Sequence, residues 1–210
     1  MSTGGSPSGG ALGSGGASSG GSASGGAASG GASSGGSGGG EADEFTLAMA
    51  GFEGSDNDDC TPDAPTTCPL FLEENVATFI GGDNISPAMA WQAGPEGTLS
   101  YAITLYDLSS NTSHWALWDI PAGTLELPPG LPSGASLTTP VVAKQAGFTT
   151  PSYTGSGMCL NVYEFRVYAL ATATFDVGGA TDAAGVIPAL EAATPLDTSF
   201  VRLQSRDYCE

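Results

Sequence analysis

Positive charge is almost missing from this chain. Against 22 Asp and Glu stand four strong cations, Lys144, Arg166, Arg202 and Arg206, for a formal net charge of −18. That balance argues against a nucleic-acid partner, because phosphate contacts need clustered Lys and Arg. It argues equally against docking on an anionic membrane surface. No stretch approaches the ~20 apolar residues of a membrane span. Histidine occurs once, at His114, and no Cys-x-x-Cys is present, so a zinc site is not expected. The Gly-x-Ser-x-Gly elbow of many serine hydrolases is also missing from residues 41–210; its only matches fall in the Gly/Ser/Ala-rich residues 1–40, which offer no strand-turn-helix to carry it.

Residues 1–40 lack charge and aromatics and are almost entirely Gly, Ser and Ala. Nothing there can be buried, so the segment reads as a disordered tether with a root-mean-square reach of roughly 35 Å. Residues 41–210 have the composition of one globular domain. The first residues show no basic start and no apolar run. Scarce Lys, four cysteines and a Gly/Ser tether nevertheless fit an exported protein. The expectation is a periplasmic or cell-surface protein whose natural form carries an upstream signal, ending at a lipidated cysteine that anchors the tether.

The cysteines are Cys60, Cys68, Cys159 and Cys209. Four allow three pairings. The short polar loop between Cys60 and Cys68 favours that pair, which leaves Cys159–Cys209; in a cytosolic chain all four would be free thiols. The stretch "GSDNDDCTPDAPTTCP" (54–69) reads as an acidic insertion pinned by its cysteines. Asp56, Asp58, Asp59 and Asp63 are weak calcium candidates, since the glycine and terminal glutamate of an EF-hand loop are absent. Asn84-Ile85-Ser86 and Asn111-Thr112-Ser113 match the glycosylation pattern, which short stretches often do by chance.

Strand signals dominate the domain. "EFTLAMAGF" (44–52) alternates apolar and small residues. In "TLSYAITLYDL" (98–108), a period of two puts Leu99, Tyr101, Ile103, Leu105 and Asp107 on one face. In "SHWALWDIP" (113–121), it puts His114, Ala116, Trp118 and Ile120 together, with Trp115, Leu117 and Asp119 opposite. Both faces are largely apolar, so this predicts a central strand covered on both sides. "NVYEFRVYALATATF" (161–175) groups Asn161, Tyr163, Phe165 and Val167, with Glu164 and Arg166 opposite. "TSFVRLQSRDY" (198–208) reads as a last strand. A short helix is predicted after a Thr181 cap, with Pro188 starting or kinking it. The sum is a mostly β domain of two packed sheets with few short helices.

Three segments, in order, carry a resemblance. "GGDNISPAMAW" (81–91), "ITLYDLSSNTSHWALWDIP" (103–121) and "NVYEFRVYAL" (161–170) resemble elements of the phosphatidylethanolamine-binding protein family, also called Raf kinase inhibitor-like. The resemblance covers nearly everything from Phe45 to the final strand. It implies a large antiparallel sheet packed with a smaller one, and a small pocket that takes an anion such as a phosphate headgroup. Carried over position by position, it implies a pocket lined by Asp107, His114 and Tyr163. Two further family positions are changed here: Ser109 stands where the family has a second aspartate, and Asn161 where it has a second histidine. The pocket loop is shortened to "TGSGMCL" (154–160).

The expected function is therefore non-enzymatic binding of a small anionic or polar ligand, without cofactor, through Asp107, Ser109, His114, Asn161 and Tyr163. Ser and Asn still offer hydrogen bonds in place of the lost charges. An alternative is a protein-interaction module, an inhibitor of a protease or kinase with a vestigial pocket. A remote alternative is a hydrolase using His114 with Ser109 or Ser113. Neighbours on a strand point to opposite faces, which weakens the Ser113 version.

Overall fold

A computed structural model describes residues 44–52 and 56–205. The elements run β1 (Leu47–Met49), β2 (Met89–Trp91), β3 (Ser100–Asp107), β4 (Thr112–Pro121), β5 (Glu126–Leu127), β6 (Ser136–Leu137), β7 (Ala143–Gly147), β8 (Val162–Leu170), α1 (Ala183–Ala192) and β9 (Asp197–Gln204). The large sheet has the order β6-β7-β4-β3-β8-β9, and the small sheet β1-β2-β5; all named pairings are antiparallel. The mostly β, two-sheet expectation is met.

The elements are shorter than their sequence signals. The first strand keeps only Leu47–Met49, and the run from Asn161 stops at Leu170. The last strand ends at Gln204, and Arg206–Tyr208 lie outside the described residues, as does the 1–40 tether. The cap of α1 is Asp182, not Thr181, and its carboxylate accepts the Gly185 N–H at 2.9 Å. Pro188 sits inside α1 rather than at its start, on the exposed side of the helix.

Two cores flank the large sheet. One lies between the sheets, where Leu47, Met89 and Trp91 meet Ile103, Leu105, Trp115 and Phe165. The other lies under α1, where Val186, Ile187 and Leu190 meet Ala102, Ala116 and Ala146. Small residues on that face let the helix approach closely. β4, between β7 and β3, is thus covered on both sides, as predicted.

The face assignment within β4 needs correction. Leu105 pairs with Trp115 while Tyr106 pairs with Ser113, so His114 is an extra residue. Tyr101 pairs with Ile120 while Ile103 pairs with Leu117, which makes a second bulge through Trp118 and Asp119. Asp119 takes φ 61° there. A bulge breaks the period of two. Ile120 therefore joins Trp115 and Leu117 between the sheets instead of Ala116 and Trp118. Leu99, grouped with the core residues of β3, is exposed.

The acidic segment, from Asp56 on, is stitched to β9. The Asp56 N–H donates to the Phe200 carbonyl at 2.6 Å, and the Asp56 carboxylate accepts the Phe200 N–H at 2.8 Å. Asn57 donates to the Arg202 carbonyl at 2.9 Å and accepts from its N–H at 2.8 Å. A disulfide joins Cys60 to Cys68, as the short loop suggested. Cys159 is disulfide-bonded, and Cys209 lies outside the described residues.

Candidate functional site

The resemblance-derived residues gather where β3 ends, β4 begins and β8 begins. Register sets Asp107 opposite Tyr163 and places the His114 bulge alongside. The His114 ring meets Tyr163 edge-on, with centroids 5.1 Å apart. Asp107 is fully buried. Its Oδ1 accepts the backbone N–H groups of Ser109 and Ser110 at 2.9 and 3.0 Å. Its Oδ2 accepts the Asn161 amide at 2.8 Å. The Ser109 hydroxyl accepts the Val162 N–H at 2.9 Å. Asn161 thus holds Asp107, and Ser109 ties the β3–β4 turn to β8.

The loop 154–160 supplies the rest of the frame. The Gly155 carbonyl accepts from His114 Nδ1 at 3.0 Å. In the neutral ring that bond keeps the proton on Nδ1 and leaves Nε2 as the acceptor. The Tyr163 hydroxyl accepts the N–H groups of Gly157 and Met158, both at 3.0 Å. Two glycines make this approach possible. A Cβ on Gly155 would stand 2.1 Å from the Asn75 carbonyl oxygen, and one on Gly157 would stand 2.5 Å from the Phe79 ring.

Electrostatics set the charge state. Burial lowers the His114 pKa from its ordinary 6.5; Asp107 and the Gly155 and Thr154 carbonyls oppose that shift without cancelling it. Burial, then the Asp107 charge, holds the Tyr163 hydroxyl far above 10.0. Near neutral pH the cluster therefore pairs a neutral imidazole and a protonated phenol with one carboxyl group.

Sequence reasoning missed several participants. Phe148, half exposed, stacks on His114 with centroids 5.9 Å apart. Asn84, noted only as a glycosylation match, braces the loop. Its Oδ1 accepts the Gly155 N–H at 2.8 Å, and its Nδ2 donates to the Tyr153 carbonyl at 3.1 Å. The signal for Asn84 lay in its place beside "ISP"; Phe148 had none. The calcium candidates do not converge. Asp56 is committed to β9, and Asp58, Asp59 and Asp63 are exposed. No group of three such ligands forms among the described residues.

A six-stranded antiparallel sheet, backed by a helix and a three-stranded sheet, with an Asp-His-Tyr cluster at the ends of its central strands, defines a two-sheet β class. The phosphatidylethanolamine-binding protein family model matches residues 63–200, and the chain belongs to that family. It is similar to two proteins of Escherichia coli (strain K12). UPF0098 protein YbcL is 32% identical over 138 residues, 61% of this chain and 73% of that protein. UPF0098 protein YbhB is 36% identical over 104 residues, 46% of this chain and 66% of that protein. The crystal structure of YbcL, described as a new member of the mammalian PEBP family, superposes with a TM-score of 0.56 at 24% identity. It covers 78% of this chain and 98% of that chain. A phosphatidylethanolamine-binding protein homologue from Chlamydia trachomatis, CT736, gives 0.53 at 13% identity, over 77% of this chain and 96% of its own.

Proposed function

We propose that this protein is a non-enzymatic, exported binding domain whose site at His114 takes a small polar or anionic headgroup. The observation that carries the reading is the anchoring of His114. Its Nδ1 is fixed on the Gly155 carbonyl, which leaves Nε2 as the ring's adjustable contact. Asp107 and Tyr163 have most of their hydrogen-bonding capacity taken by Ser109, Ser110, Asn161, Gly157 and Met158. They orient the site; His114 and the exposed Ser109 meet the ligand. A hydrolase reading draws no support from this geometry. The His114 hydrogen bond goes to a carbonyl, and the Ser109 hydroxyl is engaged by Val162. The Cys60–Cys68 disulfide is compatible with export.

At neutral pH the unprotonated Nε2 accepts a hydrogen bond, which suits a ligand with a donor. Below the lowered pKa the ring becomes a cationic donor, which suits phosphate. Calorimetric titration of inorganic phosphate and of phosphoethanolamine at pH 5.5 and 7.5 tests this. Phosphate should bind more tightly at pH 5.5, and His114→Ala should lose the gain. Equal binding by parent and variant at both pH values would retire the site.

A further inference from the structure

On the opposite face of β8 from Tyr163 lie two of the chain's four strong cations. Alternation sends Tyr163, Phe165 and Val167 between the sheets and turns Glu164, Arg166 and Tyr168 the other way. Register sets Glu164 between Tyr106 of β3 and Arg202 of β9, and Arg166 between Thr104 and Phe200. Glu164 accepts Nε–H from Arg166 at 2.7 Å and from Arg202 at 2.9 Å. Both guanidiniums stand over the Phe200 ring, at 5.1 and 4.4 Å from its centroid. Arg202 Nη1 also reaches the Cys60 carbonyl at 3.4 Å, with exposed Asp58 at 3.9 Å. Arg166 spends only its Nε; its Nη nitrogens make no hydrogen bond to the described residues.

These arginines share a cleft of about 390 Å³ with Tyr106, Tyr168, Glu164 and Glu191. Glu191 comes from the end of α1 and is exposed, with no hydrogen-bond partner among the described residues. After burial, its charge is what most raises the Tyr106 pKa, which places it close by. The four charges lining the cleft cancel in sum but not in place. The Arg166 Nη edge and the Glu191 carboxylate both line the cleft without a hydrogen-bond partner among the described residues, near enough for the Glu191 charge to act on Arg166. A lone anion gains little from a balanced set and is repelled by a chain of net charge −18. A molecule carrying both charges is complementary to both ends. Part-buried Tyr106 supplies an apolar surface in the cleft, while Tyr168 is buried in the core under α1.

We propose that this cleft is a second binding site, for a small zwitterion of amino-acid type. Its carboxylate sits on the Nη edge of Arg166, its ammonium on Glu191, and its apolar side chain on Tyr106. The site is separate from His114, so it stands whether or not a headgroup binds there.

Phenylalanine is the probe. In an NMR titration of the ¹⁵N-labelled full chain it should shift the Arg166 and Arg202 Nε–H signals saturably. 3-Phenylpropionate lacks the ammonium and phenethylamine lacks the carboxylate; each should bind at least about tenfold more weakly, as expected for losing a charged hydrogen bond. Arg166→Gln and Glu191→Gln should each lose a similar factor, and His114→Ala should bind as the parent does. Glu191 is exposed, so an unchanged melting temperature in Glu191→Gln separates lost binding from lost fold. Unmoved arginine signals at millimolar phenylalanine would overturn the site. Equal affinity for 3-phenylpropionate and phenylalanine would overturn its zwitterion specificity.

Discussion

His114 occupies a place that disfavours its own charge. Burial outweighs the Asp107 charge and the two carbonyls, so the folded ring holds its proton less tightly than the unfolded ring does. The unfolded chain therefore takes up the proton first as pH falls. The stability contribution is complete above about pH 6.5 and is lost progressively as pH drops through the folded pKa. Chemical denaturation between pH 7.5 and 5 should show this decline. His114→Gln should flatten it, because a neutral amide has no proton to gain. A variant with the parent's slope would place the titration elsewhere.

At the scale of elements, the site depends on a bulge and a loop. The "HW" position in the sequence pointed to His114, but alternation alone assigned it to the wrong set of neighbours. Nothing in "SHWALWDIP" announces an inserted residue, because bulges depend on pairing with another strand. β8 is unbulged in its pairing, and there alternation grouped Tyr163, Phe165 and Val167 correctly. The loop 154–160 shows a similar contrast. Its glycines were visible, but the carbonyl of Asn75 that makes Gly155 irreplaceable comes from a distant segment. Gly155→Ala must displace backbone, and about 1–3 kcal/mol of stability should go with it. The shift should also loosen the His114 anchor. Urea midpoints, with phosphate affinity measured on the folded variant, check both effects. Unchanged values would show that the loop can yield.

At the scale of the whole molecule, composition was a sound guide to class. Strand-rich patterning and scarce helix signals gave a mostly β domain with the helix near the C-terminal end. The cleft between β8, β9 and α1 was not legible, because Arg166, Glu191 and Arg202 meet only through register and packing. The Cys60–Cys68 bond closes a separation of 8 residues. By the chain-entropy account such a loop contributes ~2–3 kcal/mol. Cys60→Ser with Cys68→Ser should lower stability by that amount in calorimetry.

The stitching of Asp56 and Asn57 to β9 has a consequence beyond this chain's own stability. β9 is the last strand of a six-stranded sheet, and an open last strand is a template on which another polypeptide can add. Two side chains and a short acidic segment occupy part of that template, and their surroundings carry repelling charge. Replacing both Asp56 and Asn57 with Ala should expose it. Sedimentation of the variant should then reveal concentration-dependent self-association that the parent lacks. In this sense the acidic segment covers part of a sheet edge that would otherwise stand open.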